Sequence, residues 1–423
     1  MSRSRTPLAV VSAVNLLANL LFPVLAIRAL GAGSAADALF MVFILPGVVM
    51  VLLSNSVLNW ITPRLVRRAD AGSRRALCWS LLWVLLAGMV VLCIVLAVPA
   101  QLALPYLAAG SGYALAVAIL PAGFVAMLAS VVTAVAQSLF TAERAVLAGE
   151  LRTLAANMAA AMVWLLVDPS TLTDCALLFA LRAVLGSAFM ATRLGRLRAP
   201  GFSDRDLREV LRESRVLLVA ATYYKSEPFV DRLLFATVSG GAVAAFHLAH
   251  QIMSVVTLLM NRVVTATLVA PLAEAVHAGN GHRARRLLAR SLAGMVLAGV
   301  VFWLLFLLGG EALLTLLFAG TDTGSAHITL TVTIFLLLGG YMLGVLLGQV
   351  LGQMYYTTGD TRTMMAVGIA GYTLGLALRA VALWQFGAAG LAAAISLSWL
   401  VNLLMYYGFR PAVFRSEGEQ HGQ

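Results

Sequence analysis

Apolar runs of about twenty residues recur from one end of the chain to the other, separated by short polar connections. A helix of that length crosses a hydrocarbon core about 30 Å thick. The pattern predicts twelve spans, near 7–30, 36–62, 76–98, 112–140, 148–167, 174–192, 216–238, 242–270, 290–309, 327–356, 363–384 and 388–408. The connections alternate in kind. One set holds Arg3 and Arg5; Arg64, Arg67, Arg68, Arg74 and Arg75; Arg144 and Arg152; seven arginines from Arg193 to Arg215; Arg283 to Arg290; and Arg362, Arg410 and Arg415. The other set (31–35, 99–111, 168–173, 239–241, 310–326 and 385–387) has no Lys or Arg. Basic connections stay on the cytoplasmic side of a membrane, so both termini are expected in the cytoplasm.

Composition agrees with a membrane-embedded chain. Of its 423 residues 61% are hydrophobic and 11% charged, against roughly 45–50% apolar for a soluble domain. The expected fold class is an all-α integral membrane protein. A net charge of +11 would point to nucleic acid in a soluble protein; its confinement to one set of loops makes it a topology signal instead, and no nucleic-acid partner is expected. The longest basic loop, 193–215, is amphipathic and is expected to lie on the inner surface. No connection is long enough for a soluble catalytic domain, which argues against an enzyme. Cys78, Cys93 and Cys175 lack disulfide or metal spacing, so neither metal nor cofactor is expected. The first apolar run has no small-x-small cleavage site and reads as a retained helix.

The two halves echo each other. Gly33-Ser-Ala-Ala lies 30 residues before Pro63, and Gly241-Ala-Val-Ala lies 30 before Pro271, an offset of 208. Gln137-Ser-Leu-Phe-Thr141 resembles Gln353-Met-Tyr-Tyr-Thr357 at an offset of 216. A parallel repeat of six spans predicts an N-lobe over 1–208, a C-lobe over 209–410 and a tail over 411–423, with a central cleft open to alternating access. Gly340, Gly344, Gly348 and Gly352 form a ladder for close helix packing on the tenth span.

Nine ionisable residues remain inside the spans: Arg28, Asp37, Arg182, Lys225, Glu227, Asp231, Arg232, Arg262 and Arg379. Each costs about 2.5–3.5 kcal/mol at a helix centre on insertion scales, so each must face protein or a wet cavity. Six are bases and three are acids. The surplus suits a substrate with a phosphate or pyrophosphate group; internal ion pairing that only fixes helix packing is the other reading. Arg28 and Asp37 flank the first outer connection and are expected to pair near the headgroups or at a gate. Pro228, within Lys225-Ser-Glu-Pro-Phe-Val-Asp-Arg232, is expected to kink the seventh span. Asn15 and Asn19 share one helix face, as do Asn55 and Asn59. They either bind sugar hydroxyls or hydrogen-bond between helices. His247 and His250, on the eighth span, read as packing residues.

Three stretches carry a family resemblance. Gly31-Ala-Gly-Ser-Ala-Ala-Asp37 through Pro46 resembles the opening repeat of the MurJ/MviN-type lipid II flippases. Pro228-Phe-Val-Asp-Arg232 resembles the start of that family's second lobe, and Gly359-Asp-Thr-Arg-Thr363 its GDTRT loop, with Gly387-Ala-Ala-Gly390 fitting the turn that follows. The resemblance implies the MOP superfamily fold of two six-helix lobes and a lipid-linked sugar precursor as substrate. It also implies arginines on the first two spans, where this chain has Phe22-Pro23 and Met50-Val51. Another polyprenyl-linked oligosaccharide therefore fits better than lipid II. Some members bind sodium between an acid on the seventh span and polar or acidic residues on the eleventh. Asp231 matches the first position, while the others fall on Gly375 and Arg379. The charge reversal implies that Arg379 acts as a built-in cation for Asp231.

The expected function is an inner-membrane flippase for an anionic polyprenyl-linked saccharide. Its substrate-binding candidates are Arg182, Lys225, Glu227, Arg232, Arg262, Arg379, Asn15, Asn19, Asn55 and Asn59; its ion-coupling candidates are Asp231 and Arg379. Membrane lipid and polysaccharide-assembly proteins are the expected partners. A MATE-like drug exporter would need an excess of acids in the spans. A transport-inactive scaffold would need few polar groups there, and a membrane glycosyltransferase would need an acidic catalytic loop.

Overall fold

The computed structural model describes residues 5–53, 59–68, 70–107, 111–199, 201, 204–212, 223, 225–238, 240–321, 323–411 and 414. Every regular element among them is helical. In order they are α1 (Arg5–Leu30), α2 (Ser34–Leu53), α3 (Asn59–Arg67), α4 (Ala71–Leu107), α5 (Ser111–Ala142), α6 (Val146–Val167), α7 (Leu172–Ala191), α8 (Glu227–Ala236), α9 (Ala242–His277), α10 (Gly281–Leu317), α11 (Ser325–Leu337), α12 (Gly339–Thr358) and α13 (Thr361–Gly408). Residues 205–212 add one short helix.

Nine of the described helices are long and apolar enough to cross a membrane, and α11 with α12 form a tenth span bent by 42°. Within α13 the backbone leaves helical geometry at Gly387 (φ 60°, ψ −142°), a region open essentially to glycine alone. The two arms match the expected eleventh and twelfth spans. They pack closely, since a Cβ on Gly371 would lie 2.6 Å from Asn402 Oδ1. Of the expected second span, the described parts lie in α2 and the start of α3. Of the expected seventh, residues 223 and 225–238 are described: helix at 223 and 225, a turn at Ser226, and then α8 with Pro228 in its first turn. Proline there lacks only an N–H that has no partner within α8.

The chain forms two compact units, Met1–His247 with Gly320–Thr323, and Leu248–Ala319 with Gly324–Gln423. In the first, α5 packs against α2, α4 and α7, and α6 against α1 and α7. Leu65, Leu77, Leu81, Val131, Val135 and Leu139 form part of its apolar core. The basic stretch after α7 folds onto the start of α4. Arg68 Nη2 donates to Asp204 Oδ2 and Asp206 Oδ2, each at 2.7 Å. Gly201 N donates to Ser80 Oγ at 2.8 Å, and Trp83 Nε1 to the Arg198 carbonyl at 3.0 Å.

In the second unit α12 packs against α10 and α13. The bend between α11 and α12 frees backbone groups that need partners where no water reaches. The buried Ser396 side chain supplies two of them. Its hydroxyl donates to the Leu337 carbonyl at 2.5 Å and accepts from Tyr341 N at 3.1 Å. Trp303 Nε1 donates to the Leu336 carbonyl at 3.1 Å. The glycine ladder acts in its first half. A Cβ would come within 2.8 Å of Ser396 at Gly340 and 2.7 Å of Trp399 at Gly344, but would meet nothing within 4 Å at Gly348.

The repeat has a structural counterpart at the ends of α5 and α12. Thr141 Oγ1 donates to the Gln137 carbonyl at 2.9 Å, and Thr357 Oγ1 to the Gln353 carbonyl at 2.8 Å. Both helices then close with the same paired backbone bonds: Ala145 N to Phe140 O with Arg144 N to Thr141 O, and Asp360 N to Tyr355 O with Gly359 N to Tyr356 O. This closure needs a left-handed residue. Gly359 takes it at φ 76°, and the non-glycine Arg144 at φ 56°.

Two outcomes are expected for thermal unfolding in detergent. Arg144→Gly raises the midpoint, because a side chain in the left-handed region costs roughly 1–2 kcal/mol. Ser396→Ala lowers it, at about 1–3 kcal/mol for each backbone group left unsatisfied. An Arg144→Gly midpoint below that of the parent protein would count against the first assignment, and an unchanged Ser396→Ala midpoint against the second.

Candidate functional site

In the first unit, α1, α6 and α7 bring three of the expected site residues into one polar chain. Arg182 on α7 donates through Nε to Asn157 Oδ1 at 2.9 Å and through Nη2 to Asn19 Oδ1. Asn157 Nδ2 donates to Asn15 Oδ1 at 3.1 Å. Asn15 Nδ2 donates to both the carbonyl and the carboxylate of Glu150, at 3.0 Å each. The guanidinium also lies 4.2 Å from the centroid of the buried Phe22 ring. Asn15 and Asn19 thus serve contacts between helices, one of the two readings open from their spacing. Glu150, Asn157 and Phe22 were not singled out in the sequence. Asn157 is a lone amide in an apolar run, and Glu150 stands at the basic end of its helix.

Phe22 belongs to an aromatic group that separates this chain from a second polar centre. Phe22 lies 6.1 Å from both Trp164 and Phe179, and Phe179 lies 6.5 Å from Phe40. Phe40 stacks on His247 at 4.2 Å. His247 Nδ1 is 2.8 Å from Arg232 Nη2, and Arg232 Nη1 donates to the Pro228 carbonyl at 2.8 Å. Arginine has no acceptor, so this contact assigns His247 as neutral with its proton on Nε2. Arg232 also faces the Phe246 ring, and it is buried to 1% exposure. Its neighbour Asp231 is buried as well. Lys225 and Glu227 are half-buried, with Glu227 in the first turn of α8, where a helix dipole favours an acid.

Asp37 joins the beginnings of the two sequence repeats. Its Oδ2 accepts from Gly241 N at 2.6 Å and its Oδ1 from Ala244 N at 2.7 Å. A carboxylate on α2 therefore caps the N-terminus of α9 from a distance of more than two hundred residues along the chain. Arg28 lies exposed in the last turn of α1.

In the second unit Arg379 on α13 is buried to 1% exposure. Gly375 leaves room beside it: a Cβ there would lie 2.9 Å from Ser398 Cβ and 3.5 Å from Arg379 Nη1. His250 Nε2 is 2.8 Å from the Tyr341 hydroxyl. Asn55, and the side chains of Asn59 and Arg262, lie outside the described residues.

An all-α chain with this succession of long apolar helices is a multi-pass membrane protein. A solved structure of the lipid II flippase MurJ in an inward closed conformation matches with a TM-score of 0.78 at 12% identity, over 95% of this chain and 86% of that one. An inward-facing multidrug resistance MATE transporter matches at 0.72 and 14% identity, over 93% of each chain. A MOP superfamily transporter from Pyrococcus furiosus, described as having a binding pocket of reversed polarity, matches at 0.60 and 14% identity, over 96% of this chain and 94% of that one. No curated protein sequence matches the chain significantly. The model of the lipid II flippase MurJ family matches residues 27–415, and the chain belongs to that family. It is a multi-pass membrane protein and a flippase-type transporter, not an enzyme. At Phe22, where the resemblance implies an arginine, the ring instead supports the guanidinium of Arg182 from another helix.

Replacing Asp37 tests the helix cap. Asp37→Asn retains one acceptor and turns an NH2 group toward a backbone N–H, so it should lower the unfolding midpoint nearly as much as Asp37→Ala. The expected loss is about 1–2 kcal/mol, the range for removal of a cap. A midpoint insensitive to both changes would show that the cap does not hold α9 to α2.

Proposed function

We propose that the protein is an inner-membrane flippase, with both termini cytoplasmic, that moves an anionic polyprenyl-linked saccharide by alternating access between six-span lobes over 1–208 and 209–410. The observation that carries this reading is how Arg182 is held. It bonds to two neutral amides, and among the described residues no carboxylate forms an ion pair with it. Such partners orient a cation without cancelling its charge. Each unit carries a share of the positive charge: Arg182, Lys225 and Arg232 in the first, Arg262 and Arg379 in the second. A phosphate or pyrophosphate headgroup neutralised by these groups crosses at a lower cost, while its lipid tail stays in the bilayer. No covalent step is required.

The test is translocation of a fluorescent undecaprenyl-pyrophosphate-linked saccharide in proteoliposomes. The parent protein should move it, and Arg262→Glu should slow it by about tenfold or more, the effect of losing one charged hydrogen bond. Undiminished transport by Arg262→Glu would remove that residue from the headgroup site. Arg379 stands where the resemblance implies a sodium ligand, and its fixed charge takes the place of the ion. Transport should therefore proceed equally with sodium or potassium on both sides; a strict sodium requirement would overturn this reading of Arg379.

A further inference from the structure

The polar chain of the first unit has a direction. Arg182 can only donate, so Asn157 must turn its oxygen toward it. That sends the Asn157 NH2 to Asn15 Oδ1, and the Asn15 NH2 to Glu150. The amides are locked between a cation at one end and a carboxylate at the other. The Nε–Nη2 edge of Arg182 is thereby filled, by Asn157 and Asn19, and Phe22 covers one face of the guanidinium.

What remains is the Nη1–Nη2 edge. Nη1 makes no hydrogen bond among the described residues, and it is not one of the sealed, unpartnered polar atoms. Among the described residues no carboxylate forms an ion pair with Arg182. A planar guanidinium fixed along one edge and supported on one face presents its second edge as a fork for two oxygens of one anion.

We propose that Arg182 is a preformed oxyanion site belonging to the first unit alone. It takes a phosphate or pyrophosphate group on its Nη1–Nη2 edge, with Asn19 and Asn157 as positioning residues. The choice of ligand class rests on the flippase reading; the site itself rests on the hydrogen-bond geometry.

The experiment uses the full-length protein in detergent, titrated calorimetrically with inorganic pyrophosphate and with farnesyl pyrophosphate. Asn19→Asp and Asn157→Asp, on different helices, each keep the oxygen that accepts from Arg182 and add the missing negative charge. Both should raise Kd about tenfold or more, the scale of one charged hydrogen bond; Asn19→Asp should do so without lowering the unfolding midpoint, whereas Asn157→Asp also loses the NH2 group that donates to Asn15 and should lower it. A purely structural role would not produce the split expected of Asn19→Asp. Arg182→Lys, which keeps the charge but not the fork, should also weaken binding. Tighter binding of farnesyl pyrophosphate than of inorganic pyrophosphate assigns the site to a lipid headgroup, and equal binding to the anion itself; either supports it. Binding of neither probe to the parent protein, or parental affinity in both aspartate variants, overturns it. A protein that binds pyrophosphate through Arg182 yet moves no lipid-linked saccharide refutes the transport reading and leaves this site standing.

Discussion

A polar group on a membrane-crossing helix has no bulk water to turn to, so another protein group must answer it or its burial costs several kcal/mol. That constraint organises this structure. At the bend between α11 and α12 the freed carbonyl of Leu337 and the N–H of Tyr341 both meet the Ser396 hydroxyl. At the start of α9 the N–H groups of Gly241 and Ala244 meet the Asp37 carboxylate. Around Arg182 two amides and a ring take up one edge and one face of the guanidinium. In these three places the partner comes from a different helix.

The kind of partner separates structure from function. Asp37 is consumed by its role: both of its oxygens are committed to backbone donors, and it fixes one helix to another. Arg68, outside the spans, is matched by two carboxylates and clips the basic stretch onto the start of α4. Arg182 is held instead by two amides that orient it and leave its charge standing. A packing device gains nothing from that arrangement, because burying uncancelled charge is costly. On the proposed function, the partner that completes the site arrives with the substrate.

The repeat is visible in both sequence and structure, yet the halves have diverged in detail. The ends of α5 and α12 share one closure, down to the threonine that bonds back to its glutamine. The left-handed position is glycine in one and arginine in the other. Meanwhile α8 and the first turn of α9 fold with the first unit. The Asp37 cap, the Phe40–His247 stack and the Arg232–His247 contact all tie them there.

The sequence alone determined the helical class, the membrane setting and the order of spans, because these follow from local hydropathy; the likeness of Gln137–Thr141 to Gln353–Thr357 was legible too, but not the helix closure that follows each. It also showed which spans carry charge. Spacing within a helix reports a shared face but not what that face meets. Asn15 and Asn19 were legible as a pair, whereas their partners Asn157, Glu150 and Arg182 stand 142, 135 and 163 residues away. Asp37 read as half of a surface pair with Arg28, and only the folded chain showed it capping a helix 204 residues further on. Tertiary packing decided these roles, since a buried donor or acceptor takes whichever partner the neighbouring helix brings within about 3 Å, and nothing in the local sequence names that neighbour.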